Sequence, residues 1–175
     1  MQSNRSTTVE ATTGSYVRDI SEGLSARTLP LRLWTHEAHL AAALFVVMAR
    51  PGLDPCQVMP GLIRRYNETK GVANTERSGF HATITQVYVH AIAAFVACLP
   101  RNITLDGAFE FLLTTPIADR DFPCSYYSRD LLASVDARKE FVEPDLQPLP
   151  MLCCTPFCRA ADDHHHNESG RHQGQ

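Results

Sequence analysis

TITQVYVHAIAAFVACL, residues 83–99, decides between an all-helical chain and a mixed one. Its first half is rich in β-branched residues, which favour strands. The spacing of the apolar positions points the other way. Ile84, Val87, Tyr88, Ala91, Ile92, Phe95 and Leu99 recur at helical intervals for about five turns at 3.6 residues each. A strand would need alternation with period two. The segment therefore reads as a helix, entered after Ser78.

Working outward, the same period appears on both sides. WTHEAHLAAAL, residues 34–44, offers Thr35 as an N-cap, then Leu40, Ala43, Leu44 and Val47 on one face. Pro51 and Gly52 close that helix. Asp54-Pro55 opens another, with Met59, Leu62, Ile63 and Tyr66 as its stripe and Gly71 at its end. Pro60-Gly61 falls inside it and predicts a kink or a break. NETKGVANTERSG, residues 67–79, is a loop by composition. Farther on, Asp106 is a candidate cap for GAFEFLLTT, which Pro116 ends. SRDLLASVDARKEFVEP gives two short helical pieces, the second capped by Ser134, and DLQPLP trails across the body as an arm.

The expectation is an all-α protein: a small up-down bundle of four to six helices over residues 30–150. Residues 1–29, rich in Ser, Thr and charge, read as a mostly disordered lead-in with at most a short helical turn near Val17 to Leu24. Residues 151–175 read as a disordered tail containing Cys and His. In that tail Cys153, Cys154, Cys158 and His164 to His166 match no zinc-finger spacing.

Length and composition narrow the function classes. The 175 residues carry a net charge of −3, 44% hydrophobic and 20% charged residues, which suits one soluble domain. No basic footprint suggests nucleic acid. The apolar runs are short for a membrane span, and the N-terminus has no apolar signal core, so the expected location is the cytoplasm. Six cysteines include no C-x-x-C pair and read as reduced thiols. The sequons at Asn4, Asn67, Asn102 and Asn167 are then coincidental. No P-loop, dinucleotide fingerprint or G-x-S-x-G elbow is present.

Topology suggests where chemistry would sit. Three helices joined by short loops run up, down and up, so the first and third start at the same end. His36 and His39 would lie in the first turn of one, His81 in the first turn of the other. Tyr66, Asn67 and Glu68 would arrive there from the intervening helix, and Thr114, Thr115 and Asp119 from the fourth. His36 and His39 share a face at i,i+3, and a helix N-terminus keeps imidazoles neutral. Glu37 points elsewhere, and HEAH lacks one residue of the H-E-x-x-H spacing. One divalent ion, zinc or another transition metal, on His36, His39 and His81 is the sharper expectation, with Trp34, Tyr66, Asn67 and Thr85 lining a pocket. If the protein is an enzyme, metal-assisted hydrolysis of a small molecule fits, with Tyr66 or Thr85 orienting substrate. The alternatives are a non-catalytic module for a small ligand or a protein partner, and a polar cluster that only caps the bundle.

WTHEAHL, IRRYNETKGVANTERSGFHATIT and ARKEFVEPDLQPLP resemble the motifs of a family of small uncharacterised bacterial proteins. Its pattern is W-T-H-x-A-H-L, R-Y-N-x-x-x-G-V, S-G-[FY]-H-x-T-I-T and P-D-L-x-P-L-P. The resemblance spans about Leu31 to Pro150 and brings no activity with it. It implies that Trp34, His36, His39, Tyr66, Asn67, Gly79, His81 and Thr85 serve one shared feature. Where the family commonly has Glu after the third motif's histidine, this chain has Ala82, which would weaken a site that used that carboxylate.

Overall fold

The computed structural model describes residues 15–50 and 52–149. Among them it has seven α-helices and no strand: α1 Tyr16–Ala26, α2 His36–Ala49, α3 Pro55–Thr69, α4 Ala82–Ala97, α5 Leu105–Leu113, α6 Arg129–Ala133 and α7 Val135–Lys139. The Cys/His tail and the first fourteen positions lie outside the described residues.

α2 is the central helix. Seven consecutive residues, Leu40 to Val46, are buried, so this stretch has no solvent face and must be surrounded. Thr35 caps it as expected, its hydroxyl accepting from the Ala38 N–H at 3.3 Å. α3 starts where Asp54 accepts from the Cys56 N–H at 2.9 Å. It runs unbroken through Pro60, which removes one hydrogen bond without ending the helix. Trp34 meets Tyr66 near the end of α3, where Arg64 also lies over Phe80 just before α4, while Cys56 at the start of α3 reaches His90 in the middle of α4. α2, α3 and α4 therefore run up, down and up.

α4 divides two apolar clusters, which is why its sequence is apolar on more than one face. Val89 and Ile92 join the main core with α1, α2, α3 and α5. Val87 and Ala91, four apart, turn instead toward Phe122 and Tyr127 in the connector after α5. The start of α4 is later than Ser78 suggests: His81 is the N-cap, its Nδ1 accepting from the Ile84 N–H at 3.3 Å. α5 likewise is capped by Thr104, not Asp106, whose carboxylate takes a hydrogen bond from Ser15 at 2.8 Å.

The lead-in expectation needs correction from residue 15 onward. Ser15 caps α1, and Val17, Ile20 and Leu24 are buried in the main core. Burial of each is worth roughly 1.5–3 kcal/mol, enough to order a helix whose composition is otherwise Ser-, Thr- and charge-rich. The C-terminal arm lies as expected. Buried Thr83 donates to the Glu140 carbonyl at 2.9 Å and accepts from the Val142 N–H at 3.2 Å. Tyr127 donates to the Val142 carbonyl, and Asp145 accepts from the Ser128 N–H at 2.8 Å. Among the described residues no helix is long and apolar enough to cross a membrane.

Candidate functional site

A cavity of about 460 Å³ opens where α2, α3 and α4 meet the 118–120 connector. Leu40, Ala43, Met59, Ile63, Ile84 and Val89 make its walls apolar, while Trp34, Thr35, His36, His39, Thr85, Tyr88 and Arg120 supply the polar atoms. The size and the mix suit a small organic molecule.

Each histidine in the cavity is held in one tautomer by a backbone carbonyl, which can only accept. His39 Nδ1 lies 2.6 Å from the Thr35 carbonyl, so Nδ1 carries the proton and Nε2 keeps a lone pair. The indole of Trp34 stacks on the same ring, centroids 3.8 Å apart. Burial drives the His39 pKa down to about 4, the Thr35 contact opposes this, and the neighbouring His36 and Arg120 lower it further. His36 Nε2 donates to the Ala118 carbonyl at 3.0 Å, leaving Nδ1 as the acceptor, and its pKa is also lowered, chiefly by burial. Tyr88 packs edge-on against His36 and gives its own proton to the Asp119 carbonyl at 2.7 Å. At neutral pH the cavity thus holds two uncharged imidazoles with open acceptors and one guanidinium.

The structure gathers Trp34, His36, His39 and Thr85 in this cavity and leaves the other expected members elsewhere. His81 does not line it. The residue is 8% exposed, with Nε2 donating to the Leu132 carbonyl at 2.9 Å and Nδ1 occupied as the helix cap. A histidine with both nitrogens engaged has no lone pair left for a metal. Among the described residues no three His, Cys, Asp or Glu side chains are grouped to hold an ion. Tyr66 is fully buried behind Trp34 and donates to the Leu29 carbonyl at 3.1 Å. Asn67 donates to Asn74 Oδ1 at 2.9 Å, which also accepts from the Phe80 N–H. Both shape the backbone rather than the cavity.

Gly79 belongs to that Asn74-centred turn: its φ is +77°, and a Cβ there would stand 2.4 Å from the Ala73 carbonyl oxygen. Ala82 faces the main core, so a carboxylate at that position would not enter the cavity without leaving the core.

Tyr88 and Arg120 are the site residues that spacing did not reveal. Tyr88 was visible only as one position of an apolar stripe. Arg120 comes from a connector more than eighty positions after His36, and only the acidic neighbour Asp119 hinted that this connector reaches the site. No family model, no curated protein and no solved structure matches the chain.

Proposed function

We propose that the chain is a binding protein for a small, largely apolar molecule that carries an acidic group. The apolar body would lie against Leu40, Ile63 and Val89, the anion at Arg120, and a hydrogen-bond donor of the ligand on His39 Nε2. The observation that carries this reading is the fixed, neutral His39 ring between Trp34 and the Thr35 carbonyl in an apolar-walled cavity. A base whose conjugate acid has a pKa of about 4 is poorly matched to proton abstraction at neutral pH. It remains a good hydrogen-bond acceptor. Holding a ligand is therefore favoured over acid–base catalysis by this ring.

The test is a ligand-observed NMR screen with aromatic and aliphatic carboxylic acids, repeated on Ala43→Leu, which fills the cavity, and Arg120→Gln. Binding that quenches or shifts Trp34 fluorescence and is lost in Ala43→Leu supports the reading. Absence of binding at millimolar concentration, or binding unchanged in Ala43→Leu, contradicts it.

A second reading is a divalent ion on His36 Nδ1 and His39 Nε2, without His81. One feature favours it: each ring donates its other nitrogen to a backbone carbonyl, the arrangement common behind metal-bound histidines. Elemental analysis of protein cut before the His164 to His166 tract separates the two. Stoichiometric metal that His36→Ala removes supports the ion, and metal-free folded protein that still binds acids supports the first reading.

A further inference from the structure

A second cavity, of about 450 Å³, is lined by Arg64 and Glu68 of α3, Asn74, Thr75, Glu76 and Phe80 of the 70–80 turn, and Arg138 and Lys139 of α7. Three cations and two carboxylates meet there, but they are not equally engaged. Lys139 is committed to Glu76 at 2.6 Å. Neither Arg64 nor Arg138 has a carboxylate within ion-pair distance among the described residues.

Both guanidiniums are instead anchored on one buried residue. Arg64 lies over the Phe80 ring, its Cζ 4.3 Å from the centroid, and Arg138 Nη1 donates to the Phe80 carbonyl at 3.3 Å. A cation held over a ring spends no N–H group on a hydrogen-bond acceptor, so the donors of Arg64 stay available. A single bond to a carbonyl leaves most of the second fork free as well. Phe80 itself cannot shift easily, because its N–H is tied to Asn74 and Gly79 before it is fixed at positive φ.

We propose that this cavity is an oxyanion site that binds the phosphate of a small polar phosphomonoester. Two planar donors held in place without an ion-paired carboxylate outnumber Glu68, the uncommitted carboxylate of the cavity, and match the tetrahedral oxygens of a phosphate, which accepts two forks at once. The cavity is larger than a phosphate alone, and Glu68 at its wall is an acceptor for a hydroxyl group on the rest of the molecule. The site is independent of the His39 cavity: no residue lines both.

The experiment is a titration of ¹⁵N-labelled protein with inorganic phosphate and with glycerol 3-phosphate, against sodium chloride at equal ionic strength, following the arginine Nε–H signals. Saturable shifts of Arg64 and Arg138 are expected with both phosphates and not with chloride, tighter for glycerol 3-phosphate. Arg64→Gln should weaken binding about tenfold or more, and Arg65→Gln, one position away, should leave it unchanged. The Arg64 side chain is held by its contact with the Phe80 ring alone among the described residues, without a hydrogen bond or ion pair, so Arg64→Gln leaves the fold's hydrogen bonds in place. Shifts no larger than with chloride, or equal affinity in Arg64→Gln, would overturn the proposal.

Discussion

Lowering the pH should destabilise this protein through His39, and the size of the effect follows from its surroundings. The ring's pKa falls from 6.5 to about 4 in the folded chain, with burial as the main cause. Between those values the unfolded chain binds a proton that the folded chain refuses. Stability contributed by the neutral ring is therefore full above pH 6.5, declines as pH falls toward 4, and levels off below that. The total is roughly 3 kcal/mol, a large share of the 5–15 kcal/mol that a domain of this size has. His36 and His81, also shifted downward by burial, add to the same trend. Urea unfolding followed by the fluorescence of Trp34, the only tryptophan, reads this as a fall in midpoint of about 1–2 M between pH 7 and pH 4. Carboxylates contribute to any acid effect, so the decisive quantity is the difference from His39→Gln, which has nothing to titrate at that position. The wild-type curve should fall more steeply than the variant's between pH 6.5 and 4. Parallel curves would refute the claim that His39 is held neutral by its environment.

Three substitutions test the framework around the site. Gly79→Ala places a Cβ against the Ala73 carbonyl at a positive φ, and should cost about 2 kcal/mol or more in thermal or urea unfolding; a neutral effect would mean the 70–80 turn is not as described. Thr83→Val keeps the shape but strands the Glu140 carbonyl and the Val142 N–H, for a loss of about 2–4 kcal/mol and faster exchange of the Val142 amide, while unchanged exchange would contradict the clamp. His81→Leu removes the cap of α4 and the bond to Leu132, and should lower stability by about 1–3 kcal/mol while leaving ligand or metal binding at His36 and His39 intact. Loss of binding without loss of stability would return His81 to the site.

The parts of the structure that were legible in the sequence are those fixed by local chemistry. Thr35, Asp54 and Ser134 cap the helices they precede, and the period of residues 83–99 outweighed their β-branched content. α1 was legible only as a short turn because its three buried apolar residues sit in a polar composition, so that only their spacing carried the signal. The caps of α4 and α5 were misplaced for a different reason: a histidine can cap through Nδ1, and Thr104 competes with Asp106 two positions later. The pairing of His36 with His39 was readable from one helix turn. Bringing His81 to them was not, because sharing a bundle end places residues only within about the 10 Å width of a helix, whereas a zinc ligand must lie within about 2 Å of the ion. What separates the histidines is the carbonyl each one finds: His39 takes that of Thr35, four residues back, whereas those of Ala118 and Leu132, for His36 and His81, are distant partners that no spacing rule connects.

The most direct measurement is the tautomeric state of the His39 ring, read from its two ¹⁵N shifts in a long-range ¹H–¹⁵N spectrum at pH 7. A neutral ring with the proton on Nδ1 is expected, and addition of a binding carboxylic acid should move the Nε2 resonance. A charged ring at pH 7, or a proton on Nε2, would leave the cavity without the open acceptor on which the proposed binding rests.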